Sequence, residues 1–215
     1  MQTLKLKHLL AIRWFHWINF PLLFLMIWSG ILIYWAYDLY SVGPFHFFPQ
    51  PVYNALHIDH RLADGMAMHF FFMWLFTING ILYVAYTFFS GEWRFLVPRS
   101  FTAFRDAFHV VLYDLHVRKE LPPQDKYNAA QQLTYSAIVV MGGLSVITGL
   151  AIYKPAQLAW LAMLCGGYQT ARLVHFCLTI GYLLFFVLHV AQVARAGWNN
   201  FRSMVIGWEA VKSHE

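Results

Sequence analysis

The sequence has few charged residues and only two cysteines. Charged residues make up 12% of the 215 residues, whereas soluble domains have about 25%. Cys165 and Cys177 form no C-x-x-C-H motif, which excludes covalent attachment of a c-type haem, and two thiols are too few for an iron–sulfur cluster. Outside the membrane-flanking loops, no basic patch is interleaved with exposed aromatic residues, so nucleic-acid binding is also excluded.

What the chain has instead is long apolar runs, since 60% of its residues are hydrophobic. Four runs are long enough to cross about 30 Å of hydrocarbon: 14–37, 65–89, 133–153 and 173–194. No small-residue cleavage site follows the first run, so we expect a retained helix rather than a removed signal peptide. The pattern predicts an all-α integral membrane protein whose single domain, 1–215, is a bundle of four transmembrane helices.

The basic residues predict the orientation of these spans. Most of the 15 lysines and arginines lie in the N-terminal tail, in the loop 90–132 and in the C-terminal tail. The two other loops hold only Arg61, Lys154 and Arg172. By the positive-inside rule, both termini and the loop 90–132 are cytoplasmic, in a bacterial inner membrane. Within that loop, the segment 101–117 has apolar residues at helical spacing and predicts a short interfacial helix.

Four histidines lie inside the predicted spans: His16, His69, His175 and His189. An ionisable side chain costs roughly 3 kcal/mol near a bilayer centre, so it is rarely there without a function. His175 and His189 are 14 residues apart, which returns to within about 40° of the same helix face and rises about 21 Å. Neutral imidazole is a common axial ligand of haem iron. The stacked pair therefore predicts two haem irons near opposite sides of the membrane.

The predicted orientation also sorts the histidines by depth. His16 and His189 lie toward the cytoplasm, whereas His69 and His175 lie toward the outer face. The matched depths predict two haem b groups enclosed by the helices, one held by each pair. The alternative is that these histidines only form hydrogen bonds between helices.

Several residues near the histidines fit the haem hypothesis. Gly30 lies 14 residues after His16, where a missing side chain would admit a porphyrin. Gly142 and Gly149 have the same use in the third span, although small residues also serve close helix packing. Arg13 and Arg172 each precede a ligand histidine by three residues and are candidates for pairing with haem propionates or with lipid headgroups.

A polar, histidine-bearing segment precedes the second span on the predicted outer side. It contains His57, Asp59, His60 and Arg61. Two imidazole nitrogens alone make a poor metal site, so a surface that docks a partner or contacts a propionate is the favoured interpretation over metal binding.

With these residues placed, the chain resembles the bacterial four-helix di-haem cytochrome b family. The family includes the cytochrome b subunits of nickel–iron hydrogenases, formate dehydrogenase gamma subunits and thiosulfate-reductase-type anchors, with cytochrome b561-like proteins as relatives. The resemblance rests on Arg13-x-x-His16-Trp17, on His69, on the His175/His189 pair, and on Lys126-Tyr127-Asn128-x-x-Gln131. It implies electron exchange between membrane quinone and a redox partner on the outer face.

The start of the third span is the predicted quinone site, on the cytoplasmic side beside the haem of His16 and His189. Tyr127, Asn128 and Gln131 carry groups that hydrogen-bond quinone oxygens, and Lys126 is adjacent. In the family, this stretch lies by the quinone pocket. The alternative is that the polar cluster only caps the third helix.

Two functions compete for such a chain. The first is a membrane anchor and electron-transfer subunit of a periplasmic oxidoreductase, whose partner is of the molybdopterin or hydrogenase type. The second is a stand-alone superoxide:quinone oxidoreductase. The long loop and the histidine-bearing outer segment offer surface for a partner and favour the first. A transporter with a histidine proton relay is a third hypothesis, and it would contain no haem.

Overall fold

The computed structural model describes residues 2–36, 50–58, 60–122 and 127–212. In chain order the elements are β1 (Gln2–Leu6), α1 (Leu10–Tyr34), α2 (Gln50–Leu56), α3 (Leu62–Phe89), α4 (Trp93–Leu96), α5 (Thr102–Asp114), α6 (Ala129–Tyr153), α7 (Ala159–Leu164), α8 (Tyr168–Ile206) and β2 (Trp208–Lys212). Among these residues, four helices are long and apolar enough to cross a membrane, namely α1, α3, α6 and α8. The predicted four-span helical architecture is confirmed.

Each membrane helix begins three to five residues before the apolar run that predicted it, whereas α1 ends at Tyr34 and the predicted limit at residue 37 lies outside the described residues. The fourth run ends near residue 194, but α8 continues to Ile206 with an interruption at Gly197, whose φ of 81° and ψ of 175° are not helical. Backbone hydrogen bonds continue into polar sequence because their geometry does not depend on side-chain hydropathy. Hydropathy therefore located the spans but not the helix ends.

The interfacial helix predicted within 101–117 is α5. It packs against α6, and its buried positions are Ala103, Ala107 and Val110, spaced four and three residues apart on one face. Phe104 and Phe108 are exposed. Small residues let α5 approach α6, while the large aromatic residues remain outside the contact.

The described residues form two compact units, one within Met1–Gly80 and Phe185–Glu215 and the other within Ile81–Leu184. The boundaries fall inside α3 and α8. We call them the first and second unit. The single domain expected over 1–215 stays a prediction.

In the first unit, α1 and α3 run antiparallel in close contact. Ser29 contacts His69, and Phe15 accepts a long hydrogen bond from Asn79, 3.4 Å from Nδ2 to the carbonyl oxygen. The closest approach is at Gly65, where a Cβ atom would lie 2.9 Å from Leu32 Cβ. Glycine at this position lets the two backbones approach each other.

The two ends of the described chain pair in the first unit. β1 and β2 form an antiparallel two-stranded sheet in which Gln2 is opposite Lys212 and Leu6 is opposite Trp208. Lys7 Nζ lies 2.8 Å from Glu209 Oε1 and 2.9 Å from Asn200 Oδ1. We call this sheet with its ion pair the terminal clasp. The hydropathy pattern did not predict it, but it agrees with the prediction that both termini lie on one side.

The turn into β2 requires glycine. Gly207 has a φ of 93°, its carbonyl accepts from Lys7 and His8, and a Cβ atom there would lie 3.1 Å from the His8 carbonyl oxygen and 3.3 Å from Arg13 Cζ. Gly207→Ala is expected to lower the free energy of unfolding by more than about 1 kcal/mol, because left-handed strain adds to crowding. Thermal unfolding in detergent micelles measures the change.

Gly91→Ala is the matched control for Gly207→Ala. Gly91 also has a positive φ of 76°, but a Cβ atom there meets nothing within 4 Å. It therefore carries the backbone strain without the crowding. Equal losses of thermal stability in the two variants would show that crowding against His8 and Arg13 adds nothing to the loss caused by backbone strain.

In the second unit, α6 packs antiparallel to the first part of α8. Ser145 Oγ lies 3.2 Å from the Tyr182 hydroxyl, and Thr148 contacts His175. A small apolar cluster of Ala151, Leu161, Ala162 and Ala171 joins these helices to α7. These contacts set the rotation of α6, so that Thr148 faces α8.

Candidate functional site

His16 on α1 and His189 on α8 face each other in the first unit. Their ring centroids are 6.1 Å apart, with an angle of 53° between the ring planes. Phe185 stacks on His189 at 5.4 Å, and the Trp17 ring meets His16 edge-on at 5.0 Å. Since an imidazole–metal bond takes about 2 Å, this separation leaves room for one metal ion between the two rings.

His16 has a ring nitrogen with no protein partner. Its Nδ1 is buried and has no hydrogen bond among the described residues. A buried polar atom that forms no hydrogen bond costs about 1–3 kcal/mol, so such an atom in a native structure needs an explanation. The predicted pair of His16 and His189 is brought together, and no group among the described residues satisfies the buried Nδ1 of His16.

His69 lies on α3 and is held by the hydroxyl of Ser29 on α1. Ser29 Oγ is 2.9 Å from His69 Nδ1 and also 2.7 Å from the Leu25 carbonyl oxygen. Ser29 is fully buried. This contact holds the His69 ring from its Nδ1 side and leaves Nε2 on the opposite side of the ring.

His175 in the second unit has the same kind of partner. Thr148 Oγ1 lies 2.9 Å from His175 Nδ1 and 2.7 Å from the Leu144 carbonyl oxygen, one helical turn back. Thr148 is buried, with 3% of its surface exposed. His175 and His69 are therefore held alike, each within its own unit. The predicted pairing of these two histidines on one iron stays a prediction.

A glycine follows each of these hydroxyl residues and lies beside the same histidine. A Cβ atom at Gly30 would lie 3.7 Å from His69 Cε1, and one at Gly149 would lie 3.3 Å from His175 Cε1. Because neither glycine has a side chain, the Cε1 edge of each histidine ring is left uncovered on the side of the glycine. A flat macrocycle needs such open space next to a ligand, and the assignment of Gly30 to this use stays a prediction.

The four histidines fit haem b by their chemistry. Imidazole nitrogens are its usual axial ligands, and a ligating histidine commonly donates its other ring N–H to an oxygen. Ser29 and Thr148 supply that oxygen for His69 and His175. His16 has the buried nitrogen without a partner. The residues present therefore match this cofactor.

The two arginines proposed for haem propionates differ in their surroundings. Arg13 Nη1 donates to the Val205 carbonyl oxygen at 2.6 Å, while its buried Nε has no hydrogen-bond partner among the described residues. Arg172 Nη1 lies 3.4 Å from Gln169 Oε1, and its guanidinium lies 5.8 Å from the Tyr168 ring centre. The unsatisfied N–H makes Arg13 the better candidate for a carboxylate, and both assignments stay predictions.

The polar residues before α6 form a helix cap. Asn128 Oδ1 accepts from the Gln131 backbone N–H at 2.8 Å, and Gln131 Oε1 accepts from the Asn128 N–H at 3.0 Å. This reciprocal pair is a capping box, as the alternative interpretation of the cluster required. The cap uses both carbonyl oxygens but not the side-chain NH₂ groups. Lys126, the fourth residue predicted here, lies outside the described residues.

Tyr127 packs against a second tyrosine that the sequence did not indicate. Its ring meets Tyr135 edge-on at 5.2 Å in the second unit. Burial raises the pKa of Tyr127 above its ordinary value of 10, and Tyr135, Glu92 and Tyr83 act in the same direction. A higher pKa keeps the phenol protonated, so Tyr127 is a hydrogen-bond donor at every physiological pH.

The histidine-bearing segment before α3 is only partly described, since Asp59 lies outside the described residues. His57 and His60 have positive φ values of 50° and 60°, and the His60 N–H donates to the Ala36 carbonyl oxygen at 3.0 Å. Arg61 pairs with Asp64 at 3.0 Å. Among the described residues, no group of three or more His, Cys, Asp or Glu side chains is placed to hold a metal ion.

Ser29 and Thr148 are residues of the candidate site that the sequence pattern did not indicate. One signal was present, because α1 and α6, which contact His69 and His175, each carry a hydroxyl residue directly before a glycine, Ser29-Gly30 and Thr148-Gly149. Hydroxyl residues are common in membrane helices, where they bond back to the helix carbonyls. The dipeptide alone therefore does not predict a contact with histidine.

Comparison with known proteins agrees with this arrangement. The family model described as prokaryotic cytochrome b561 matches residues 7–207. A protein of Azospira oryzae, named as the putative protein-methionine-sulfoxide reductase subunit YedZ1, is 30% identical over 184 residues, which cover 83% of this chain and 85% of that protein. Because the family match covers all four membrane helices, the chain belongs to the prokaryotic cytochrome b561 family of multi-pass membrane proteins that bind b-type haem.

Proposed function

We propose that this chain is a di-haem cytochrome b that carries electrons across the bacterial cytoplasmic membrane. It exchanges them between quinone and an oxidoreductase on the outer face, of which it is the membrane anchor subunit. The observation that carries this proposal is the presence of two histidine levels along α1. His16 faces His189 at one level, and Ser29, 13 residues further along α1, holds His69 at the other.

The two levels are far enough apart to serve both sides of a membrane. Thirteen helical residues rise about 20 Å, against about 30 Å of hydrocarbon. A porphyrin is wide, so the edges of two haems lie closer together than their irons. This spacing supports one haem ligated by His16 and His189 and a second ligated by His69 and His175.

Haem, when bound, supplies a one-electron couple at its iron. The residues of this chain would hold and orient it. The four histidines would provide ligand nitrogens, Ser29 and Thr148 contact two of the rings, and Gly30 leaves space beside His69. Arg13 is proposed to pair with a propionate near His16 through its buried Nε.

The partner we propose is a reductase of oxidised methionine side chains. The Azospira relative is named as a subunit of such an enzyme. Reducing a sulfoxide takes two electrons and two protons, breaks the sulfur–oxygen bond and releases water. Quinol supplies two electrons on oxidation, so electrons would move from quinol to the partner. The positive-inside pattern supports cytoplasmic termini and a partner on the opposite face.

The start of α6 is the proposed quinone site. Tyr127 offers a phenol that stays protonated, and the side-chain NH₂ groups of Asn128 and Gln131 are not used by the capping box. Lys126 completes the proposed set. The third span is predicted to begin next to this stretch, and a quinone site near a span end has access to protons from water.

Quinol-dependent haem reduction tests this site and the proposed function together. Tyr127→Phe removes one hydrogen bond and is expected to slow the reduction roughly fivefold, in line with about 1 kcal/mol. The deficit should stay constant from pH 6 to 9, because the raised pKa keeps the phenol protonated there. Stopped-flow absorbance on protein in liposomes measures the rate, and a dithionite-reduced spectrum confirms that the haem is intact.

Asn128 variants separate quinone binding from helix capping. Serine at position 128 keeps a good N-cap oxygen but lacks the amide NH₂, whereas alanine lacks both. If Asn128 binds quinone, Asn128→Ser is as slow as Asn128→Ala. Tyr153→Phe, at the other end of α6, is the control and should keep the parental rate. Parental rates in Tyr127→Phe and Asn128→Ser would place the quinone elsewhere.

A further inference from the structure

The two histidines held by hydroxyl groups are bonded so that only one tautomer satisfies the hydroxyl contact. Ser29 Oγ is within hydrogen-bond distance of two backbone carbonyl oxygens, Leu25 at 2.7 Å and Met26 at 3.1 Å, and of His69 Nδ1 at 2.9 Å. A hydroxyl has a single proton and a carbonyl can only accept. The Ser29 proton therefore goes to a carbonyl, and His69 Nδ1–H donates to the serine oxygen.

The same reasoning applies to the second unit. Thr148 Oγ1 lies 2.7 Å from the Leu144 carbonyl oxygen and 2.9 Å from His175 Nδ1. Thr148 Oγ1 also lies 3.4 Å from the Ser145 carbonyl oxygen, so its single proton goes to a backbone carbonyl. A neutral imidazole has one N–H, and the threonine oxygen accepts it from Nδ1. Nε2 of His175 then carries the lone pair.

We infer that Ser29 and Thr148 are positioning residues that fix the Nε2 lone pair of His69 and of His175 toward a haem iron, and that each lowers the reduction potential of the haem that its histidine ligates. The inference rests on the proposed function only in its ligand assignment. An N–H donated to an oxygen makes the imidazole more basic. A more basic ligand donates more electron density and favours ferric over ferrous iron, so the potential falls.

At the other level, His16 lacks this support among the described residues. His16 Nδ1 is buried without a hydrogen bond among the described residues, and no described hydroxyl contacts it. The haem of His16 and His189 is therefore expected to have the higher potential. Electrons would then need a driving force from the partner, or from continued quinol oxidation, to reach the haem of His69 and His175.

Redox titration of the purified holoprotein tests the inference. Ser29→Ala and Thr148→Val remove the acceptor and are each expected to raise the ferrous-to-ferric ratio roughly twofold to tenfold at a fixed potential. If His69 and His175 ligate one iron, both variants shift the same wave and leave the other unchanged. The electron paramagnetic resonance g-values of that ferric haem should change as well, because they depend on axial ligand strength.

Conservative and matched variants separate this role from packing. Ser29→Thr and Thr148→Ser keep a hydroxyl and should retain the parental potentials. Thr87→Val is the control, because Thr87 is equally buried and donates to the Tyr83 carbonyl oxygen at 2.7 Å without contacting a histidine. It should leave both waves unchanged.

Each result decides the inference. Parental potentials and g-values in Ser29→Ala and Thr148→Val overturn it. If Ser29→Ala or Thr148→Val loses haem, normal haem content in the matching variant that keeps a hydroxyl supports the inference. Equal loss of haem in that matching variant would show that the position serves packing alone and would overturn the inference. The titration uses chemical mediators. A protein that shows these shifts but takes no electrons from quinol would refute the proposed function and leave this inference standing.

Discussion

Replacing His16 with alanine is expected to lower the haem content from two b haems per protein to about one. His16 and His189 face each other with ring centroids 6.1 Å apart, so they are expected to ligate the same iron. An iron that loses one strong axial ligand in an apolar site binds weakly and is lost on purification. A pyridine haemochrome assay against protein concentration measures the stoichiometry.

The pairing makes a stronger prediction for combined variants. His189→Ala and the double variant of His16 and His189 should each keep about one haem, because both changes affect the same site. Combining His16→Ala with His69→Ala should remove both haems. His109→Ala on α5, outside the membrane helices, should keep the full content. A His16/His189 double variant without haem would show that the two histidines serve different irons.

Leucine at position 65 is expected to disrupt the first unit. A Cβ atom at Gly65 would lie 2.9 Å from Leu32 Cβ, 3.0 Å from the Ile33 backbone nitrogen and 3.1 Å from Ile33 Cγ1. Leu32 is fully buried, and a backbone nitrogen cannot move without moving α1. Overpacking of this kind costs about 1–3 kcal/mol, and a leucine side chain adds more volume than a single carbon.

The consequence should reach the cofactor. His69 lies one helical turn after Gly65, and its bond to Ser29 requires α1 and α3 to stay in close contact. Gly65→Leu is therefore expected to lower the melting temperature and to release the haem that His69 ligates. Gly80→Leu on the same helix is the control, since a Cβ atom at Gly80 meets nothing within 4 Å. Equal stability and haem content in both variants would contradict the close contact.

Much of the fold followed from local sequence. Each span is a run of about 20 apolar residues, and its signal depends on no other part of the chain. The histidines proposed as haem ligands were visible because ionisable residues are rare inside such runs. The cap at Asn128 and Gln131 was foreseen as an alternative, since a capping box depends on residues only three positions apart.

The sequence by itself determined the four spans, their expected orientation, the four histidines and the family resemblance. Only the tertiary structure decided which side chains meet. The Ser29–His69 contact joins residues 40 positions apart, the Thr148–His175 contact joins residues 27 apart, and the terminal clasp pairs Gln2 with Lys212. Hydropathy identifies a span because nearly all of its residues are apolar. It does not distinguish the side of the helix that faces lipid from the side that faces another helix. The rotation that turns a hydroxyl toward a histidine comes from close packing between helices, as at Gly65, and that packing depends on both partners at once.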